Sequence, residues 1–239
     1  MFACRSLQSA AACLVLLLGS CAQPRLEQPV EARKAAPLDF PERFYRQAAE
    51  QGKPVYRVDP ANSLVVIEVR RAGSLARLGH DHVVASHDVA GYIAPGEGRA
   101  DVYVPLLRLA VDESALRTQS GFETQPSQED IEGTRANMLG KVLEAERFPF
   151  ARISVSGVAA GAGDTRMRVA ITLHGVTRTP ALPLQLATGD NQITVTGRFV
   201  VDQTDFGITP YAILGGAIAV RNDVELRFQI RAARVGSLD

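Results

Sequence analysis

Hydrophobic and polar residues alternate with a period of two through most of the chain after Val55. The alternation is clear at residues 102–106, 153–155, 167–173, 193–201 and 224–230, and Gly, Asp and Asn fill breaks at 161–164 and 189–191. Because successive side chains of a strand point to opposite faces, each run predicts a half-buried antiparallel strand. Many such strands separated by turn residues predict an all-β barrel or sandwich.

One segment has a helical period instead. Residues 127–130 (Ser-Gln-Glu-Asp) open like a capping box. Apolar residues then recur at helical spacing, at Ile131, Met138, Leu139, Val142 and Leu143. The pattern predicts one amphipathic helix, inserted at about 128–146. In an otherwise antiparallel chain, we expect such a helix to cover an edge or one mouth of the barrel.

The N-terminal residues predict export. Arg5 precedes an apolar run at 10–18 that is too short to span a bilayer but has the length of a signal-peptide core. Residues 18–21 (Leu-Gly-Ser-Cys) resemble a bacterial lipobox, whose cysteine is diacylated and becomes the first residue of the mature protein. We therefore expect a lipoprotein signal peptide at 1–20 and lipidation of Cys21. The alternative is an ordinary cleaved signal with a coincidental cysteine.

Residues 21–54 are expected to form a tether. They are rich in Pro, Gln, Glu, Arg and Ala and have few apolar residues, which is typical of a spacer. A short helix at 42–51 is compatible with Pro41 in its first turn and Gly52 at its end. The folded domain is then expected at 55–235.

The cysteines and the charge exclude several functions. Cys4, Cys13 and Cys21 are the only cysteines, and all lie at or before the proposed cleavage point. The mature domain therefore has no disulfide and no thiol nucleophile, and a metal would have to rest on His, Asp and Glu. The formal net charge of zero gives no electrostatic case for nucleic-acid binding.

Three of the four histidines, His80, His82 and His87, form the main candidate site. If residues 76–84 are a strand, its even positions share one face, with the Cα atoms of His80 and His82 about 6.6 Å apart. Arg77 and Asp81 would then face solvent. The inward ligand-pocket candidates on this hypothesis are Leu78, His80, His82 and Val84.

Three interpretations of the cluster remain open. The histidines are structural hydrogen-bonding groups, or they contact the polar end of a ligand, or His80 and His82 share a metal with His87 as third ligand. A bulge at Gly79 would invert the parity of the residues before it. His174, just before Gly175, is expected on the surface or in a turn.

Catalytic motifs are absent from the sequence. No Gly-x-Ser-x-Gly elbow occurs, and the acidic pairs at 112–113 and 129–130 are typical of solvated turns and helix starts. Asp81 would point away from the histidines, so it offers no general base to a metal site. We therefore expect a protein that is not an enzyme.

Four short motifs carry a family resemblance. They are residues 56–63 (YRVDPANS), 135–139 (RANML) leading to Phe148-Pro149, 173–177 (LHGVT) and 205–208 (DFGI). In this order, over about 55–234, they resemble the YceI-like family. Two features depart from it: Asn62 stands where many members have His, and the 79–82 cluster is not general. The chain resembles a divergent, lipid-anchored branch.

The resemblance implies an elongated, lipocalin-like antiparallel barrel in the bacterial periplasm, with a polyisoprenoid or similar amphiphilic lipid in an apolar interior. The expected function is non-enzymatic lipid binding or carriage, with no cofactor beyond the lipid. The alternative is a metal-binding or metal-dependent envelope protein that uses His80 and His82. Because Ala22 is not acidic, we expect the Cys21 anchor in the outer membrane, with the domain facing the periplasm.

Overall fold

The structure is a computed structural model that describes residues 36–157, 163–236 and 238. The helices are α1 (Glu42–Glu50), α2 (Ser114–Gln119) and α3 (Gln128–Asn137), and a π-helical turn, Met138–Val142, follows α3. The strands are β1 (Val55–Val58), β2 (Leu64–Val69), β3 (Arg71–Ala72), β4 (His82–Ser86), β5 (Ala90–Ala94), β6 (Arg99–Pro105), β7 (Ala110–Val111), β8 (Phe150–Ser156), β9 (Gly163–Leu173), β10 (Val176–Arg178), β11 (Ala181–Thr188), β12 (Gln192–Asp202), β13 (Ala212–Ile213), β14 (Ile218–Val220) and β15 (Asp223–Val235).

The strands form a closed antiparallel barrel of eight strand positions. The pairing order is β1-β5-β6-β8-β9-β11-β12-β15, and β15 pairs with β1 to close the circle. Short turns interrupt the first three positions, so that β2, β4 and β7 continue the lines of β1, β5 and β6. Each strand of this circle is therefore paired on both sides. The predicted fold class, an all-β lipocalin-like barrel with an inserted helix, is confirmed.

The period-two runs of the sequence correspond to β6, β8, β9, β12 and β15. One set of side chains on each strand faces the interior, and the other set lies on the outer wall. On β12, for example, Val201 lines the interior while Val200 is 61% exposed outside. The alternation in the sequence therefore reports the orientation of each side chain correctly in these strands.

The long connections gather at one end of the barrel, which we call the mouth. They are residues 70–81, 112–149, 174–180 and 203–222. The connections at 70–81 and 203–222 contribute β3, β13 and β14, which form a separate three-stranded sheet. The mouth is thus built from the least regular parts of the chain.

Helix α3 begins as the sequence predicts. The Ser127 side chain accepts a hydrogen bond from the Asp130 N–H, and the Asp130 carboxylate accepts one from the Ser127 N–H. The helical segment ends at Val142, earlier than the predicted 146, because Glu144 takes a φ of 43° and its carbonyl accepts from two later N–H groups. Residues from α3 and the π-helical turn line the interior, so the segment covers the mouth.

Helix α1 packs on the outer wall of the barrel. Tyr45 is fully buried, donates a hydrogen bond of 2.7 Å to Asp101 and stacks on Tyr92 at 5.1 Å. Residues 36–54, which the sequence assigns to the tether, therefore pack on the barrel within the same compact unit. The reason is a local cluster of aromatic residues in a segment that is otherwise polar. The signal peptide at 1–20 and the tether before 36 lie outside the described residues.

Helix α2 was not predicted from the sequence. It covers the outer face of β2 and β4, where Val66, Val83 and Ala85 pack against Leu116 and Phe122. A helix of six residues is too short to show a helical period in the sequence. As a result, part of the barrel's outer wall is as apolar as its interior.

The packing of α1 can be tested by mutation. We expect Tyr45→Ala to lower the free energy of unfolding by about 3–5 kcal/mol, because it removes a buried ring and leaves Asp101 without that hydrogen bond. The exposed neighbour Arg46 provides the control, since Arg46→Ala should cost about 0.5 kcal/mol or less. Urea unfolding measures both. Equal stability of the two variants would mean that α1 is not part of the domain.

Candidate functional site

The barrel encloses a cavity of about 440 Å³. Inward side chains of β2, β4, β5, β6, β8, β9, β11, β12 and β15 form its wall, and they are predominantly Val, Ile, Leu and Phe. Away from the mouth, Tyr56, Ile93, Ala100, Ile193 and Ala232 pack into one buried cluster. The volume lies within the range of about 300–1,000 Å³ found for small-molecule sites.

The polar part of the cavity wall lies mostly at the mouth. Polar residues there come from three connections or their borders: Arg71, His80 and His82, then Thr134 and Asn137, then Gln203 and Tyr211. Deeper in the barrel, Ser86 is a polar member of the wall, and its hydroxyl accepts a hydrogen bond from the Asp88 N–H. The cavity is thus apolar along its length, and its few polar groups lie mostly at the entrance, beside apolar side chains such as Phe206 and Ile218. A site for an amphiphile has this arrangement.

His82 is held in place by a buried carboxylate. Its Nδ1 lies 2.6 Å from an oxygen of Asp112, whose side chain is fully buried. The second oxygen of Asp112 accepts a hydrogen bond from the Val83 N–H and forms an ion pair with Arg117. Because the carboxylate is an acceptor, it favours the tautomer that carries hydrogen on Nδ1. The Nε2 atom of His82 therefore remains for other partners.

Arg117 neutralises this carboxylate from a fully buried position. Its guanidinium donates to the backbone carbonyls of Asp81 and Thr124 at 2.6 Å, and it lies 5.6 Å from the ring of Phe122. A buried guanidinium is tolerated only when its donors are paired. Arg117 thus ties the loop that precedes His82 to Asp112 and to the segment after α2.

The pKa of Asp112 is lowered from its ordinary value. Burial acts in the opposite direction and raises it, but hydrogen bonds from His82, from the Val83 N–H and from Arg117 together favour the ionised form more strongly. Asp112 also has a φ of 58°, a backbone conformation that Asp and Asn adopt more readily than most residues. Position 112 therefore requires both a residue that tolerates a positive φ and a side chain that stays ionised when buried.

His80 lies next to His82 on the cavity wall. The two rings are 6.3 Å apart and nearly perpendicular. The Nδ1 atom of His80 is buried and has no hydrogen-bond partner in the described part of the chain. An unpaired buried polar atom costs about 1–3 kcal/mol, so a ligand atom that pairs with it would recover free energy on binding.

The region before β4 differs from the sequence prediction. Residues 76–84 are not one strand: Ala76–Leu78 is a 3-10 turn, and β4 begins at His82. Leu78 is 61% exposed and does not line the cavity, so its predicted inward orientation is wrong. The turn forms because Asp81 accepts the Arg71 N–H at 2.8 Å and the Arg71 guanidinium donates to the Gly79 carbonyl.

The structure places three of the four ligand-pocket candidates, His80, His82 and Val84, on the cavity wall. It does not bring His87 to them, because His87 is 54% exposed and pairs with Glu113 at 2.9 Å. Across residues 36–157, 163–236 and 238, no group of three or more His, Cys, Asp or Glu side chains has metal-binding geometry. The metal alternative therefore has no support in this structure.

The motif residues hold the mouth together. His174 and Gly175 form the turn between β9 and β10, and His174 pairs with Glu144 at 3.1 Å and packs on Phe148. A Cβ on Gly175 would lie 2.8 Å from the Phe148 ring, so only glycine fits. Phe206 from the 205–208 motif is buried and lines the cavity.

Two further motifs stabilise the borders of the barrel. Arg135 donates to the backbone carbonyls of Leu107 and Leu109, which fastens α3 to the segment before β7. In the opening motif, the Ser63 hydroxyl donates to the Asp59 carbonyl and accepts from the Arg231 N–H. These residues position the cavity and its cover.

The chain belongs to the YceI-like domain family, whose model matches residues 56–232. Two solved structures show the same fold. A polyisoprenoid binding domain from Saccharophagus degradans, implicated in plant cell wall breakdown, is 14% identical, with a TM-score of 0.56 over 77% of this chain and 100% of that one. BcnA from Burkholderia cenocepacia is 16% identical, with a TM-score of 0.53 over 73% of this chain and 98% of that one. No curated protein matches. Within the described ranges, no helix has both the length and the apolar character to cross a membrane.

Sequence reasoning missed Asp112 and Arg117. The pair at 112–113 was interpreted as solvated turn charges, whereas Asp112 is only 3% exposed and Arg117 is fully buried. Their role depends on the pairing of β4 with β7, which brings residues 112 and 82 together across 30 positions of sequence. Within the histidine cluster, by contrast, His82 and His87 each have a carboxylate partner.

We expect acid to destabilise the protein through Asp112. Its pKa is lower in the folded state than in the unfolded chain, so its contribution to stability is present above the unfolded-state pKa and is lost as the pH falls through the folded-state pKa. Urea midpoints should therefore decline below about pH 4, and Asp112→Asn should remove this part of the decline.

The same variant should lose about 3–5 kcal/mol of stability near neutral pH, because Arg117 keeps a buried charge without its partner. Glu113→Gln, which breaks the exposed pair with His87, is the control and should cost about 0–1 kcal/mol. An Asp112→Asn variant with the pH profile and stability of the parent would contradict the assignment.

Proposed function

We propose that this protein binds and carries an amphiphilic lipid, such as a polyisoprenoid, in the barrel cavity and performs no catalysis on it. The main support is the cavity of about 440 Å³, whose wall is apolar and whose few polar groups lie mostly at the mouth. The similarity in fold to a structure described as a polyisoprenoid binding domain supports the ligand class.

The energetics favour an apolar chain as the ligand. Burial of each CH₂-sized group contributes about 0.8 kcal/mol, so a few isoprene units supply most of the binding free energy. An apolar cavity gives water few hydrogen bonds, so apolar ligands enter it without competing with well-bound water. Tight binding therefore requires no reactive residue in the wall.

The polar end of the ligand is assigned to the mouth, beside His80 and His82. The unpaired Nδ1 of His80 offers one hydrogen bond, and Asp112 fixes the His82 ring so that its Nε2 offers another. Val84, the next inward residue on β4, would contact the start of the apolar chain. A hydroxyl or other small hydrogen-bonding head group matches these partners.

The surroundings of His82 favour binding over catalysis. A histidine oriented by a carboxylate is also part of hydrolase triads, but there the imidazole contacts a nucleophile. In the part of the chain that the structure describes, no hydroxyl or thiol is hydrogen-bonded to His82, and the other oxygen of Asp112 is occupied by Arg117 and Val83. The arrangement orients a ring without activating a neighbour.

We further propose that Cys21 carries a lipid anchor and holds the domain on the periplasmic side of the outer membrane. The support is in the sequence: a basic residue, an apolar run of signal-peptide length, a lipobox-like 18–21 segment and the non-acidic Ala22. Two or more acyl chains give stable attachment, whereas one gives only marginal binding. An anchor of this kind would keep a lipid carrier next to its source.

The cavity can be tested as the binding site by placing a large side chain on the inner or on the outer face of β12. Val201→Trp places an indole inside the barrel, while Val200→Trp places one on the outer wall at the adjacent position. We expect native mass spectrometry to find bound isoprenoid in the parent and in Val200→Trp, and much less in Val201→Trp. Circular dichroism checks that both fold. Equal occupancy in the two variants would remove the cavity as the binding site.

The head-group assignment predicts a selective loss of affinity. His80→Leu should raise Kd for an isoprenoid alcohol roughly two- to twelve-fold, the value of one neutral hydrogen bond, and leave Kd for a branched hydrocarbon without a head group unchanged. His87→Leu is the control, since His87 is exposed and pairs with Glu113. Fluorescent-lipid displacement measures both constants. Equal losses for alcohol and hydrocarbon would count against the assignment.

The anchor predicts a change in fractionation. In the native host, the parent should be found in outer-membrane fractions and should label with a radioactive fatty acid. Cys21→Ser should abolish the labelling, while Cys13→Ser, which changes a cysteine inside the leader, should not. Labelling that persists in Cys21→Ser would rule out Cys21 as the lipidation site.

A further inference from the structure

The connection between β12 and β15 contains an exposed apolar hairpin. From Gly207 to Val220 the chain has no charged residue. This stretch folds into β13, a tight turn at Leu214–Gly216, and β14. At its tip, Ile213 is 43% exposed and Leu214 is 69% exposed. Burial of these apolar side chains against a partner would be favourable, because it removes their surface from water. Grouped exposure of this kind marks an interaction surface.

The hairpin lies at the mouth of the cavity. Its second strand, β14, pairs with β3, and the Leu75 N–H donates to the Ala217 carbonyl at 2.8 Å. Tyr211, Ile218 and Val220 from the same hairpin line the cavity. One part of the hairpin therefore contacts the ligand space while its tip projects outward. The two surfaces are continuous along one apolar segment.

A third exposed apolar residue lies beside the hairpin. Leu78, 61% exposed, belongs to the 3-10 turn Ala76–Leu78, which packs against β14. The backbone of Gly73, just before this turn, approaches the carbonyls of residues 216 and 217 so closely that a Cβ has no room. We call Leu78, Ile213 and Leu214 the mouth patch.

The charges around the mouth patch favour an anionic partner. Arg77 is exposed next to Leu78, and the ammonium group of Lys141 lies 5.9 Å from the ring of Tyr211, at the base of the hairpin. On the flanking segments, Asp81 lies beside Arg71 and Asp223 beside Arg221, while Asp205, just before the hairpin, is exposed. Exposed cations next to exposed apolar side chains are the combination found in proteins that bind the surface of a bilayer.

We propose that the mouth patch docks this protein on an anionic lipid bilayer, so that a lipid passes between the bilayer and the cavity without crossing water. The proposal rests on the proposed lipid-carrier function and names the surface on which loading takes place. Interfacial apolar groups enter a bilayer by about 5–10 Å, which suits a hairpin tip. Leu214 would reach the acyl chains while Arg77 and Lys141 contact lipid phosphates.

The absence of tryptophan allows a direct measurement of insertion. Leu214→Trp gives a single fluorophore at the tip. Leu38→Trp gives one at a fully exposed leucine outside the patch, whose neighbour Asp39 pairs with Arg152 on β8. Each full-length protein is placed in vesicles of phosphatidylethanolamine and phosphatidylglycerol, with or without brominated acyl chains. A reporter at the tip registers insertion independently of any anchor at Cys21.

We expect the emission of Leu214→Trp to shift to the blue in these vesicles and to be quenched by the brominated chains. Leu38→Trp should show neither effect. Replacement of phosphatidylglycerol by phosphatidylcholine should weaken the quenching at position 214, because the attraction to Arg77 and Lys141 is lost. Equal quenching at the two positions, or none at position 214, would overturn the proposal.

A second measurement separates docking from lipid binding. Leu214→Asp and Leu38→Asp are compared for the rate of isoprenoid uptake from vesicles and for occupancy after loading from detergent solution. We expect slower uptake from vesicles for Leu214→Asp alone, with equal occupancy from detergent. Equal uptake rates would exclude docking through the patch and leave the carrier function intact. No occupancy even in the parent would exclude the carrier function, while the fluorescence result would still decide whether the patch inserts.

Discussion

Closure of the barrel by β15 is the constraint on which the rest of the structure depends. This strand of 13 residues pairs along its length with β12 on one side, and on the other with β2 near its start and β1 near its end. A closed antiparallel sheet fixes which side chains point inward on every strand. The apolar wall of the cavity is therefore a direct result of the period-two pattern together with closure. Neither one alone would produce it.

The connections at the mouth supply what the strands cannot. The strands present alternating apolar side chains, whereas the polar entrance comes largely from segments outside regular strands, at 70–81, at α3 and at 203–222. These segments are held by a small number of buried polar contacts, of which Arg117 with Asp112 is the most deeply buried. The barrel can therefore keep its wall while the mouth determines the polarity of the entrance.

The sequence predicted the parts of the structure that local periodicity encodes. The strands β6, β8, β9, β12 and β15, the capped start of α3 and the barrel class follow from the order of residues along short segments. The predicted inward orientation of Leu78 was wrong because the Arg71–Asp81 contacts turn the chain before β4 begins. Period-two parity applies only inside a strand, and no local signal marked where that strand starts.

The candidate site was predictable in part for the same reason. His80 and His82 stand out as residue types, but the carboxylate that holds His82 comes from position 112, and Arg117 pairs with that carboxylate. Only the pairing of β4 with β7 brings Asp112 near His82. The apolar hairpin at 207–220 is visible in the sequence as an uncharged stretch. Such a stretch, however, predicts a buried strand as readily as an exposed loop tip. Exposure depends on tertiary structure, which the sequence pattern does not contain.

The attachment of α1 to the outer wall has a mechanical consequence. A pull on the chain at Ala36 reaches α1 before it reaches β1, and it is first resisted by the buried ring of Tyr45, its stack on Tyr92 and its bond to Asp101. These contacts can detach while the ladder between β1 and β15 stays intact. Helix α1 therefore separates the N-terminal segment from the seam of the barrel, and tension along the chain would load the contacts of α1 before those of β1.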